Sequence, residues 1–465
     1  MGEVPSFQSL LAEGVRDARR NASQHLHPTL QRLVRTTGLD RTWVRGEGCW
    51  LEDDAGERYL DCLAGFAVHA LGRHHPDMVR ALRDAIASDL PGWVRMEDNP
   101  LAALLARRLA ERMPADLPHA FFTNSGAEAV EASLKFARHF TGRSAVLACE
   151  HGFHGMTLGA LAANGNASLR DGFGELGASR IIPFDDLPAL EEALATRQFA
   201  AFIVEPVQGK TCQPASPGYL AEATRLCRAA GTLLIVDEVQ TGVGRTGTFL
   251  ACEQDPGCRP DFVVLSKALS GGYVPVGAAM VRADVWRGVY SSMSRAFVHS
   301  STLHEGVLAM TAGLTVLAIH DAQRLSERAR TQGDALRARL LAAAARHGGA
   351  SEVRGRGLML GIALERSASE RWISSLPSLG SFEHLVFGQA FVMDLFAKGK
   401  VLAQVTGGGV DLLKLTPPLV ISDEEVAWAA TAFEGACQRL GSGPWAFASG
   451  VSRAAANIVG GVVRG

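Results

Sequence analysis

Charge of one sign is missing from this 465-residue chain: 46 Lys and Arg stand against 48 Asp and Glu, a formal net charge of −2. A polyanion such as nucleic acid finds no basic field to recognise. The N-terminal stretch also has no basic helix-turn-helix character, which argues against a cofactor-sensing regulator of transcription. The start, MGEVPSFQSLLAEGVRDARR, lacks the basic-then-apolar order of a secretory signal. No apolar run reaches the ~20 residues of a membrane span. The 8 cysteines (Cys49, Cys62, Cys149, Cys212, Cys227, Cys252, Cys258 and Cys437) form no CxxC or Cys/His cluster. No metal site is indicated, and the thiols read as reduced and mostly buried, in a cytoplasmic protein. Tandem repeats are absent. The glycines at 242, 244 and 247 lack the GxGxxG spacing of a dinucleotide site.

What is present is a core. Hydrophobic residues make up 47% and charged residues 20%, ordinary for a globular chain of two or three domains, or of one large α/β unit with a satellite. From about Asn99 to Met280 short apolar runs alternate with helical periodicity. Strands are expected at 119–124, 144–149, 200–206, 232–238, 261–266 and 276–281, and helices at 99–113, 126–140 and 219–231. Buried strands alternating with helices imply a mostly parallel sheet covered on both faces, with ligands beyond the carboxyl ends of its strands. The ends of the chain read differently. A hairpin is expected around Asp54-Ala55-Gly56. One long helix is expected over 321–348, followed by a strand at 357–364. These ends are expected to pack together as a smaller α+β domain. The apolar, aromatic segment 372–396 reads either as core helix or as part of a substrate entrance.

Three polar sites sit at strand ends. In TNSGAEA, Ser125-Gly126-Ala127 opens a helix whose free N–H groups suit a phosphate. Ser125 with Glu128 equally reads as a capping box. In LLIVDEVQTG, Asp237 follows an apolar strand, so it needs either loop N–H groups or a positive partner such as a protonated ring nitrogen. In FVVLSKALSGG, Lys267 follows another strand. It either lies at the surface or is a desolvated amine able to form a Schiff base. Phosphate cradle, carboxylate and amine together are the anchors that pyridoxal phosphate requires.

The motifs FFTNSGAEAVEASLKFAR, HGFHGMTLGAL, FIVEPVQGK, LLIVDEVQTGVGRTG and VVLSKALSGGYVPVGA, in that order, resemble the class III aminotransferases, which include ornithine, 4-aminobutyrate and putrescine aminotransferases. The resemblance runs from about Arg45 to about Glu434. It implies a fold type I α/β architecture: a large domain with a mostly parallel sheet covered by helices, and a small α+β domain built from both chain ends. The boundaries expected are 1–75 and 323–440 for the two parts of the small domain, 76–322 for the large one, and 441–465 for a Gly/Ala-rich tail. It also implies that Lys267 bonds the cofactor and shuttles the proton, and that Asp237 pairs with the ring nitrogen. Gln240 would bond the ring hydroxyl, with Phe153 and Val239 on the two ring faces. Ser125, Gly126 and Ala127 would hold the phosphate, with Glu205 a supporting carboxylate near the cofactor. Thr302 resembles the threonine that reaches the neighbouring subunit's phosphate, which implies a homodimer with sites at its interface.

The sequence departs from that pattern in three places. Lys210 stands where ornithine and 4-aminobutyrate enzymes commonly carry a glutamate, and Lys414 stands where they carry the arginine that grips a carboxylate. Lysine lacks the planar fork of arginine. The STLHEGV loop also differs, and His304 reads as a loop or interface residue. Phe66 lies where a substrate-facing tyrosine is common. Lys210, Lys414 and Phe66 are therefore the expected substrate residues. The expected reaction moves an amino group from a small amino acid, glutamate by preference, to a terminal aldehyde or ketone on a bulky, largely apolar skeleton, in lipid or secondary metabolism. The rivals are an ornithine-, putrescine- or 4-aminobutyrate-type ω-aminotransferase and a related reaction on the same cofactor, such as an aminomutase.

Overall fold

The computed structural model describes residues 4–365, 383–406 and 412–441. At its centre is a seven-stranded sheet in the order His119–Thr123, Gly277–Val281, Phe262–Leu265, Leu233–Asp237, Phe199–Val204, Ala145–Cys149, Ser179–Ile182. Gly277–Val281 runs antiparallel to both of its neighbours, and the other paired strands run parallel. Alternation along each strand sends side chains to opposite faces. Phe202, Val204, Leu234, Val236, Val263 and Leu265 join one buried cluster, while Ala201, Ile203, Ile235, Phe262 and Val264 join another. The second cluster is closed by Val130, Leu134 and Phe136 of the helix Gly126–Thr141. The first takes in Leu105, Leu220, Leu317 and Leu336 from helices on the other side. Two covered faces explain why these strands are apolar throughout.

Every strand expected in the central region is present, within two residues at each end. The region after 306 corrects the reading. The expected helix over 321–348 is present as Leu325–His347; its first residues instead close a preceding helix, Val307–Ala322, and the two are separated where Arg324 takes a left-handed conformation with φ 47°. The expected hairpin is a three-stranded meander, Trp43–Glu47, Trp50–Asp53 and Arg58–Asp61, with its second turn at Asp54–Gly56. Arg58–Asp61 pairs in parallel with Val401–Leu402 from the other end of the chain. A further four-stranded sheet orders Ala350–Arg356, Met359–Leu364, Leu412–Leu415 and Gln404–Thr406. Arg245, wholly buried, ties that region to the large sheet by donating to Leu358 O (3.1 Å) and Pro417 O. The 372–396 segment lies partly outside the described residues, as does the tail from 442. All eight cysteines are buried and free. Among the described residues no helix is long and apolar enough to cross a membrane, and no group of three or more His, Cys, Asp or Glu could hold a metal.

Candidate active site

The carboxyl ends of neighbouring strands open onto one cavity of about 550 Å³. Asp237 ends its strand there, and Lys267 stands two residues beyond the end of the next. Lys267 opens a single 3-10 turn with φ 40°, a backbone state that non-glycine residues adopt rarely. Burial and the nearby Lys414 ammonium pull its amine down to about 8, against the opposing pull of Asp237 and Glu205.

Asp237 is buried, and its two oxygens are separately engaged. Oδ1 accepts from Val239 N (3.0 Å), and Oδ2 lies 2.7 Å from Nδ1 of the buried His154. Burial works against a charged imidazole, but the bond to Asp237 outweighs it and raises the His154 pKa. The two Asp237 oxygens retain acceptor capacity for a further donor in the cavity. Glu205 ends the adjoining segment and is also buried. Its Oε2 accepts from Phe153 N (3.0 Å) and its Oε1 from Gly209 N (2.8 Å). Burial and Asp237 push its carboxyl upward, while His154 and the two N–H groups pull the other way. Glu205 thus fixes two loops that border the cavity.

Ser125 caps the helix Gly126–Thr141: its Oγ accepts from Glu128 N at 3.2 Å. The return half of the expected box goes to a different residue. Glu128 Oε2 accepts from Asn124 N (2.8 Å), one position earlier than a capping box requires. Gly126 and Ala127 line the cavity, so the free N–H groups of the first helical turn border it. A Cβ on Gly126 would meet both Val239 methyls at 3.0 Å and fill that slot. Phe153, Val239, Gln240, Lys210, Lys414 and Phe66 complete the expected residues at the cavity.

Two expected residues lie elsewhere. Ser125 stands just behind the cavity wall as the cap. Thr302 is exposed, in a loop bound to its own chain through Asn124 Nδ2 and Ser301 Oγ (3.4 Å). Sequence reasoning missed His154, Ser266 and the 404–406 strand, which also line the cavity. His154 could have been read from GFHG as a buried polar residue needing a partner. Nothing in the local sequence announces the 404–406 strand.

A helix start, the side chains of Phe153 and Val239, the Asp237 carboxylate and a lysine with a lowered pKa, all at one cavity, fit pyridoxal phosphate.

Comparison with known proteins agrees. A family model described as aminotransferase class-III matches residues 34–437. The chain is similar to Aminotransferase PigE of Serratia sp. (strain ATCC 39006), with 33% identity over 454 residues, 90% of this chain and 53% of that protein. The chain therefore spans about half the length of that relative. It is similar to acetylornithine aminotransferase of Methanosarcina mazei, 36% identical over 385 residues, 82% of this chain and 88% of that one. Among solved structures, the ornithine aminotransferase of Toxoplasma gondii ME49 aligns with a TM-score of 0.80 and 29% identity, over 93% of this chain and 98% of that one.

Proposed function

The chain belongs to the class III aminotransferases, pyridoxal phosphate-dependent enzymes of fold type I, and from that premise we propose that it takes an amino group from glutamate or another small amino acid and delivers it to a terminal aldehyde or ketone of a bulky, largely apolar substrate. The observation that carries this reading is a pair of ammonium groups, Lys210 and Lys414, at the same cavity, with no ion pair to a carboxylate for either among the described residues. A cation at the cavity wall with no carboxylate paired to it favours an anionic ligand. The wall also carries the apolar side chains of Phe66, Phe153, Val239 and Val405, which suit an apolar skeleton in the second half of a ping-pong cycle.

Bound pyridoxal phosphate supplies an aldehyde carbon and a ring that withdraws the electrons released at the substrate Cα. Lys267, through its neutral amine, would bond that aldehyde carbon and carry the proton at the substrate Cα. Asp237, held by His154 and Val239 N, would pair with the ring nitrogen. Gly126 and Ala127 would hold the phosphate at the start of the helix that Ser125 caps. Gln240 would bond the ring oxygen, and Glu205 braces the Phe153 loop. The chain works as a cytoplasmic homodimer in which Thr302 reaches the neighbouring subunit's phosphate. Its setting is lipid or secondary metabolism.

A second reading, an ω-aminotransferase acting on ornithine-like donors, is favoured by the similarity to acetylornithine aminotransferase. Single additions of glutamate, alanine, ornithine, putrescine, 4-aminobutyrate and a long-chain alkyl amine to the cofactor-loaded protein separate the two. Glutamate and the alkyl amine are both expected to abolish the visible absorbance band. Conversion by ornithine, putrescine or 4-aminobutyrate alone would overturn the apolar-carbonyl reading and leave the second.

A further inference from the structure

Lys210 and Lys414 share a cavity but not a situation. Lys414 lies on the strand Leu412–Leu415 and is buried. Its ammonium is already committed, donating to Gly209 O and to Gln240 Oε1 (2.9 Å). Lys210 is half-buried, with Nζ 5.8 Å from the centroid of the Phe153 ring and no hydrogen bond or ion pair among the described residues.

The commitment of Lys414 has a consequence for Gln240. A side-chain amide can face either way, and its two ends are opposite in character. An ammonium only donates, so the amide oxygen must face Lys414 and the nitrogen must donate elsewhere. That nitrogen reaches Phe66 O at 3.1 Å. The Phe66 carbonyl belongs to an unusual turn: Ala64, Gly65, Phe66 and Ala67 have φ values of 50°, 62°, 63° and 71°. Such a left-handed run is unfavourable at each non-glycine residue and persists only where its surroundings enforce it. The enforcing contacts are Asp61 Oδ1, which accepts from Leu63 N (3.0 Å) and Ala64 N (2.8 Å), Thr416 Oγ1 donating to Leu63 O (3.0 Å), and Gln240. Lys414 thus stands at the head of a chain running through Gln240 to the mouth of the cavity.

We propose that Lys414 is a positioning residue, orienting the Gln240 amide and pinning Gly209 and the Phe66 turn, and that Lys210 is the cation left to meet the carboxylate of the amino donor. The second half rests on the anionic donor proposed above. The first needs no donor at all.

The test is a double-mutant cycle read by the Kd of apo-protein for pyridoxal phosphate. Lys414→Met keeps the volume and removes the donor to Gly209 O and Gln240 Oε1. Lys414→Met and Gln240→Ala are each expected to weaken cofactor binding about tenfold, the scale of one charged hydrogen bond. The double variant should be no weaker than about the worse single one, because both break the same chain. Lys414→Arg keeps donors for the same two acceptors and should stay within about threefold. Lys210→Met should leave that Kd unchanged and raise KM for glutamate about tenfold at constant kcat, with KM for a carboxylate-free amine unmoved.

Losses that multiply to about a hundredfold in the double variant would overturn the role of Lys414. So would a Lys414→Met variant that raises KM for glutamate alone at unchanged cofactor Kd. If glutamate fails to convert the unsubstituted protein, the Lys210 half falls with the donor reading, while the cofactor titrations still decide Lys414.

Discussion

A lysine attacks a carbonyl only after shedding its proton, so the environment of Lys267 sets the pH at which the site loads. Burial and Lys414 bring its amine to about 8, against an ordinary value of 10.5. The neutral fraction rises with pH until about 8 and then saturates. Capture of pyridoxal phosphate by apo-protein, followed by stopped-flow absorbance, is therefore expected to quicken about tenfold per pH unit below 8 and to level above it. A rate still climbing to pH 10 would show an unperturbed lysine. The sign carries into stability. Between 8 and 10.5 the unfolded chain holds a proton that the folded chain has lost, so this group's contribution to apo-protein stability increases with pH over that window. Lys267 was legible in the sequence because a lysine directly after a buried strand conflicts with its surroundings. The partner of His154 was not, because Asp237 is 83 residues away.

Elements hold these residues in place through close backbone packing as much as through side chains. The helix Leu325–His347 crosses the turn at Gly357 with Gly333 at the contact. A Cβ there would press into Gly357 O. The turn has no room to retreat, since a Cβ on Gly357 itself would lie 2.6 Å from Arg245 O, and Gly357 has φ 53°. Gly333→Ala normally gains up to about 1 kcal/mol inside a helix. Here the overpacking cost of about 1–3 kcal/mol is expected to win. The variant should unfold at a midpoint ~2–5 °C lower in a thermal scan, and an unchanged or higher midpoint would show that the contact yields. The central strands and helices were legible as elements because burial on both faces leaves uninterrupted apolar runs. The break at Arg324 was not, since no glycine or proline marks it and the turn is set by packing between two helices.

The whole molecule leaves apolar side chains uncovered around the Thr302 loop. Phe297 and Leu303 are exposed beside Trp93, Val94 and Met96. The two segments are joined by Arg95 to His304, by Asn99 Nδ2 to Glu305 O (3.0 Å), and by Trp93 lying against Gly306. The proposed homodimer would cover a cluster of this kind. Light scattering is expected to give twice the monomer mass, and Phe297→Asp with Leu303→Asp to halve it and loosen the cofactor together. Dissociation with unchanged cofactor Kd would separate Thr302 from the neighbouring site.

By itself the sequence determined the mostly parallel core, the order of the motifs and the placing of Lys267 and Asp237 at strand ends, because strand burial and helix starts are written in contiguous residues. The tertiary structure alone decided what those groups touch. Lys414 reaches Gly209 and Gln240 across 205 and 174 positions, and His154 finds Asp237 from the loop after a different strand. A side chain's hydrogen-bond partner is chosen by the packing of distant elements, and so is the pKa or amide orientation that follows from it.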